Sequence, residues 1–243
     1  MEKVELKPGY TLITFEDELK ENVRTLFTGS SYQSVTFTNH KKYELYDRYT
    51  TLYQVCDTHK DEINDSLVLG GGGFSYPKYY ISKYSNRNMD VVEYDPFMVE
   101  IAYKYFFLED LFKEHDPNKE RLKIYIEDAF EYIKKCNKTY DSILIDLFND
   151  NIPLYEMFNI DNLKYIKKLT NETGLVAINY IITEQDKEHK LFNEHIENLK
   201  NTYKYVKAIA LPRFLTLNRG NIFLLASDCE INVKVNTHIV EII

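Results

Sequence analysis

The stretch Asp65-Ser66-Leu67-Val68-Leu69-Gly70-Gly71-Gly72-Gly73 decides the fold. Its apolar run lacks polar alternation, which marks a strand covered on both faces, the condition of a parallel sheet. Four glycines end the run. Lacking Cβ atoms, they permit a sharp strand-to-helix turn and let a ligand approach the backbone. Residues 75–84 suit the following helix, with Pro77 tolerated in its first turn.

Outward from this turn, strands and helices alternate. Met89–Glu93 reads as a second strand, and 96–108 as a helix with Val99, Ala102 and Phe106 along one stripe. Leu122–Ile126 is a third strand and Ala129–Lys135 a short helix. Tyr140–Asp146 is a fourth strand that ends on a carboxylate. A helix over 159–169 leads to a fifth strand at Gly174–Tyr180 and an amphipathic helix over 184–201. Tyr205–Ala210 and Asn221–Ala226 read as a closing hairpin. This order specifies an α/β fold, a mostly parallel doubly wound sheet of Rossmann-like type. Ahead of it, Tyr10–Phe15 and Ser34–Thr38 show strand alternation, Asn39–Lys42 a turn, and Tyr43–Tyr46 a returning strand. The expected division is a small antiparallel β unit over 1–48 and a nucleoside-binding catalytic domain over 49–243.

Bulk properties narrow the function. A formal net charge of −8 argues against nucleic acid as the principal partner. Three cysteines far apart in sequence give no disulfide framework, and no His or Cys spacing suits a metal. The start Met1–Glu5 lacks an apolar signal core and no apolar run approaches membrane-spanning length, so the expected location is the cytoplasm, off the membrane.

Ligands of open parallel sheets bind beyond the carboxyl ends of the strands. Gly70, Gly71 and Gly72 follow the first strand, though the third fingerprint position is Ser75. Glu93 ends the second strand twenty residues after Gly73, where an acid accepts from a ribose diol. Asp95, just before Pro96, reads also as a helix cap. Glu127 and Asp128 follow the third strand, placed for an exocyclic adenine amine with Phe130 or Ile126 against the ring, while Asp128 reads equally as an N-cap. Asp146 closes an apolar strand, where an unused carboxylate costs desolvation, so it is the first candidate for chemistry.

These segments resemble the spermidine-synthase (polyamine aminopropyltransferase) family, whose core is the class I methyltransferase fold. The likeness covers residues 28–180. It runs through Ser31-Tyr32-Gln33-Ser34-Val35-Thr36-Phe37, Leu67–Gly72, Val91-Val92-Glu93-Tyr94-Asp95, Glu127-Asp128-Ala129 and Tyr140–Asp146. The resemblance implies that Gln33 contacts the nucleoside, Glu93 holds the ribose, Asp128 takes the adenine amine and Asp146 orients or deprotonates an attacking amine. Tyr49 or Tyr53 matches the family's acceptor-facing tyrosine, and homodimers are common in the family. Two positions depart from the pattern. Gly73 stands where the family carries an acid for the ammonium of decarboxylated S-adenosylmethionine. Asn149 stands where a second acid meets the polyamine, with Asp150 next to it. The expectation is a transferase that uses S-adenosylmethionine or its decarboxylated form, without a metal, to alkylate a small acceptor. Methyl transfer, an NAD-dependent dehydrogenase and a non-catalytic nucleoside-binding protein stay open as alternatives.

Overall fold

The computed structural model describes residues 1–46, 49–149, 152–182, 190–212, 220–234 and 239–241. The chain opens with four strands, β1 (Glu2–Lys7), β2 (Tyr10–Glu16), β3 (Asn22–Thr28) and β4 (Ser31–Phe37), paired antiparallel in that order. A 3-10 turn at Thr50–Gln54 and α1 (Val55–Thr58) lead into β5 (Asp65–Leu69), α2 (Ser75–Lys83) and β6 (Asn88–Glu93). Then come α3 (Pro96–Tyr105), α4 (Leu108–His115), β7 (Leu122–Ile126), α5 (Ala129–Lys135) and β8 (Tyr140–Ile145). A two-residue ribbon, β9 (Phe148–Asn149) and β10 (Ile152–Pro153), precedes α6 (Ile160–Leu169) and β11 (Thr170–Ile182). The chain closes with α7 (Lys190–Thr202), β12 (Tyr205–Ala210), β13 (Gly220–Ser227) and β14 (Val240–Glu241).

The large sheet has the order β14-β12-β13-β11-β8-β5-β6-β7. Strands β11, β8, β5, β6 and β7 are parallel, and β13 turns back antiparallel against β11. Alternate residues of the central strands face opposite layers. Leu67, Leu69, Ile143, Ile145, Val176 and Ile178 pack with α5, α6 and α7, while Val68, Leu144, Leu175 and Ala177 pack with α1, α2 and α4. Both faces are covered, which is why these strands read as unbroken apolar runs. No helix among the described residues is long and apolar enough to cross a membrane.

Three expectations change. Tyr43–Tyr46 does not return as a strand. The Asn39 side chain accepts from the Lys41 N–H and consecutive turns follow, curling the chain so that Tyr43 meets His115 edge-on at 5.0 Å. The partner of β4 is β3, and β1 adds a further strand. The helix expected over 96–108 stops at Tyr105 because Phe107 adopts φ 61°, and α4 starts a new direction.

The small sheet is bolted to the large one near the glycine turn. Leu12 and Leu26 share an apolar cluster with Met98, Ile101 and Phe106. Ser34 Oγ accepts from the Gly73 N–H at 2.8 Å, and Ser75 Oγ donates to the Val35 carbonyl at 2.8 Å. Lys78, 1% exposed, donates from Nζ to Thr36 Oγ1 at 3.0 Å and to the Lys42 carbonyl at 3.2 Å. Burial pulls its pKa down to about 7.

Gly70 has φ +94°, and a Cβ there would lie 2.2 Å from the Asp146 carbonyl oxygen. Gly70→Ala therefore forces β5 and β8 apart where they meet the cleft. A loss of about 3 kcal/mol is expected, a fall of roughly 10 °C in Tm by differential scanning calorimetry. An unchanged Tm would refute the close approach.

Candidate active site

The strand ends of β5, β6, β7, β8 and β11 open onto one cleft of about 450 Å³. Its floor is the glycine turn. Glu93, 9% exposed, reaches back from β6 so that its Oε2 accepts from the N–H groups of Gly71 and Gly72, each at 2.9 Å. Its Oε1 accepts from the Asp95 N–H at 2.9 Å. Burial raises the Glu93 pKa, and these three donors oppose the shift. The next turn N–H, that of Gly73, already belongs to Ser34.

Asp146 sits at the end of β8. Tyr53 donates to its Oδ2 at 2.6 Å and Asn179 Nδ2 donates to its Oδ1 at 2.7 Å. Asn221 Nδ2 in turn donates to Asn179 Oδ1 at 2.9 Å. Desolvation raises the Asp146 pKa, against the pull of Tyr53 and Asn179. The Tyr53 hydroxyl, buried and beside that carboxylate, is pushed well above the usual phenol range. The result is a carboxylate of fixed orientation with raised proton affinity, the property of a base or an orienting group.

Asp128 Oδ1 accepts from the N–H groups of Phe130 and Glu131 at 2.8 and 3.1 Å, so it caps α5 as well as lining the cleft. Both cap bonds fall on Oδ1, which leaves Oδ2 for a ligand. Glu127, beside it, pairs with Lys135. Gln33 and Tyr49 close the cleft from the other side, with Tyr49 edge-on to Tyr53 at 6.1 Å. Phe130 lines the cleft, whereas Ile126 is 55% exposed and does not.

Among the candidate residues, Gln33, Gly70, Gly72, Glu93, Glu127, Asp128, Tyr49 and Asp146 therefore share one cleft. Gly71 and Tyr53 line a narrow recess of about 50 Å³ beneath it. Asp95 is a correction: its Oδ1 caps α3 through the Phe97 N–H at 2.9 Å and its Oδ2 accepts from Tyr10 at 3.0 Å, away from the cleft lining. Its place before Pro96 signalled that capping role. Asp150 lies outside the described residues.

The sequence reading passed over Asn179 and Asn221, which together brace Asp146. The available signal was an amide inside the apolar run Leu175–Ile182, since buried polar groups require partners. Asn221 becomes informative only through the register that sets β13 against β11.

The cleft's described lining includes four carboxylates, Glu93, Glu127, Asp128 and Asp146, and no Lys, Arg or His. A cation or a hydroxyl-rich ligand suits such a lining, and an anion does not.

The chain has recognisable relatives among known proteins. The chain is 25% identical over 215 residues to polyamine aminopropyltransferase 2 of Aquifex aeolicus, covering 85% of this chain and 42% of that protein. It spans about 40 to 50% of the length of the bacterial aminopropyltransferases it matches. A probable spermidine synthase from Corynebacterium glutamicum ATCC 13032 superposes with a TM-score of 0.76 at 20% identity, over 95% of this chain and 81% of that one. Human methyltransferase-like protein 13 in complex with SAH shares the fold at a TM-score of 0.57 and 19% identity, over 77% of this chain and 82% of that one. Residues 49–232 match the spermine/spermidine synthase domain, and over that span this chain belongs to the spermine/spermidine synthase family.

Proposed function

We propose that the protein is an aminopropyltransferase-like enzyme that binds a sulfonium nucleoside, decarboxylated S-adenosylmethionine, and alkylates a small amine. The observation that carries this reading is the state of the glycine turn. Its Gly71 and Gly72 N–H groups are taken by the Glu93 carboxylate and its Gly73 N–H by Ser34. A dinucleotide's diphosphate would seek those same amides and meet a negative charge instead. This argues against the NAD-dependent reading. The carboxylate of intact S-adenosylmethionine meets the same acidic lining, with no cation among the described cleft residues to receive it. Methyl transfer remains the second reading on one observation: glycine at 73 leaves no acid for the ammonium of the decarboxylated donor.

In this reading Glu93 accepts from the ribose hydroxyls and Asp128 Oδ2 from the adenine amine, with Phe130 against the ring. Gln33 and the glycines complete the nucleoside wall, and Tyr49 faces the acceptor, with Asp150 a further candidate there. The bound sulfonium supplies an electrophilic carbon. Asp146 orients the acceptor nitrogen and takes the proton it sheds as the nitrogen–carbon bond forms and the carbon–sulfur bond breaks. The same reading makes the protein a cytoplasmic enzyme of small molecules that works as a homodimer.

Three measurements test this. In a thermal-shift panel, methylthioadenosine and decarboxylated S-adenosylmethionine should raise Tm while NAD leaves it unchanged. A shift with NAD alone sinks the transferase reading. Asp146→Asn should keep methylthioadenosine binding and lower turnover about 10²- to 10⁴-fold, and undiminished turnover would remove Asp146 from the chemistry. Asn179→Ala removes a donor that holds the Asp146 pKa down, so that pKa rises further. Activity requires the carboxylate and falls as pH drops through its pKa. The acid limb of kcat/KM should therefore move to higher pH in the variant; a limb that stays put contradicts the bracing role.

A further inference from the structure

Lys78 stands where the two sheets meet, on the helix that follows the glycine turn, and is 1% exposed. Its Nζ donates to Thr36 Oγ1 on β4 and to the Lys42 carbonyl. Thr36 Oγ1 lies 3.3 Å from that same carbonyl, so the three polar atoms form a closed group. The Phe106 and Phe107 rings cover it, with centroids 5.9 and 5.6 Å from Nζ.

The charges that bear on this amine are cations. Beyond burial itself, Lys42 after β4 and Arg24 on β3 both press its pKa down. Against its own burial, Lys42 is kept charged by hydrogen bonds to Glu114 and Asp110 on α4. Burial raises the adjacent Tyr43 hydroxyl to about 12, so it stays neutral. Burial also lowers His115, which charges only below the ordinary imidazole range. A neutral amine has two N–H groups, and two acceptors meet them. An ammonium brings a third proton and a full charge into a dry site that two cations repel. Aromatic rings at nearly 6 Å offset little of that desolvation.

The effect reaches the cleft through β4. Thr36 is preceded by Val35, which accepts from Ser75, by Ser34, which takes the Gly73 N–H, and by Gln33, which lines the cleft. Three adjacent residues thus seat β4 on the glycine turn, and the attachment at Thr36 is the one that a proton can alter. We infer that Lys78 is a positioning residue held as a free amine: uncharged, it seats β4 and Gln33 against the turn, and its protonation loosens that seat and weakens nucleoside binding. The link to the nucleoside rests on the transferase reading; the state of the amine does not.

The test compares the protein with Lys78→Met, which keeps an apolar stem and has no proton to gain. Burial holds the Lys78 pKa at about 7 in the folded chain against 10.5 when exposed, so between these values the unfolded chain binds the extra proton. Stability therefore rises with pH from about 7 upwards. The difference in Tm between the unsubstituted protein and the variant cancels the other groups. It should move in favour of the unsubstituted protein from about pH 6.5 to about pH 9, and a constant difference overturns the inference. Should the variant fail to fold, NMR of lysine-labelled unsubstituted protein decides. One Nζ or Cε resonance should titrate near pH 7, far from the ~10.4 of ordinary lysines, and the absence of such a resonance overturns the inference.

Calorimetric titration with methylthioadenosine reads the functional half. Glu93 and Asp146 also take up protons as pH falls, but in both proteins. The affinity lost between about pH 7.5 and about pH 6 should be roughly five- to tenfold greater in the unsubstituted protein than in Lys78→Met. Equal pH profiles overturn the positioning role. If methylthioadenosine binds at no pH, the transferase reading and the link to the nucleoside both fall, while the Tm comparison and the lysine titration still decide the state of Lys78.

Discussion

The carboxylate of Glu93 ties the end of β6 to the turn after β5. Two successive turn amides converge on one of its oxygens, and the amide of Asp95 occupies the other. This contact adds to the turn's own bonds, from the Gly70 N–H to the Val92 carbonyl at 2.9 Å and from the Phe74 N–H to the Gly71 carbonyl at 2.8 Å, and so helps hold a chain in which Gly70 and Gly72 have positive φ and Phe74 has φ 58°. The same contact cancels the positive end of α2 from within the protein. Where other strand–turn–helix units offer bare amides to a phosphate, this one offers a buried negative charge. The selection of ligand charge at the floor of the cleft thus follows from how the turn is held.

The second anchored carboxylate, Asp146, works on a different principle. Glu93 accepts only from backbone, so its position is set as soon as the sheet forms. Asp146 accepts from side chains on two separate elements, Tyr53 ahead of α1 and Asn179 on β11, and Asn221 on β13 donates in turn to Asn179. Its geometry is complete only when the antiparallel closing strand has docked. The reactive end of the cleft therefore requires the docked antiparallel strand as well as the parallel ones.

This difference explains what could be read from the residues and what could not. The central strands were legible because full burial leaves unbroken apolar runs, and the strand-end acids stood out against them. Glu2–Lys7 and Asn22–Thr28 were not legible as strands. Glu2–Lys7 is almost wholly exposed, and Asn22–Thr28 mixes the exposed Asn22 and half-buried Arg24 with the buried Val23, Thr25 and Leu26, so that pairing across the small sheet makes both extended. The bracing amides were missed for a related reason. Asn179 is local to its strand, but its partners come from positions 146 and 221, joined by sheet register rather than by spacing. Asp95 and Asp128 illustrate the reverse case. Each had a capping reading beside a ligand reading; at Asp95 the cap takes one oxygen and Tyr10 the other, and at Asp128 the cap leaves one oxygen for the cleft.

Gly73 carries a consequence for how this sequence can change over evolutionary time. A Cβ at that position would sit 2.7 Å from the Ser34 Cβ and 2.9 Å from the Phe106 ring. The space an acidic side chain would occupy has been taken over by the neighbouring sheet and by the end of α3. Returning an acid to position 73 by a single substitution would first break the packing between the two sheets. An acid at position 73 therefore has to be accompanied by changes at 34 and 106 that open the space between the two sheets.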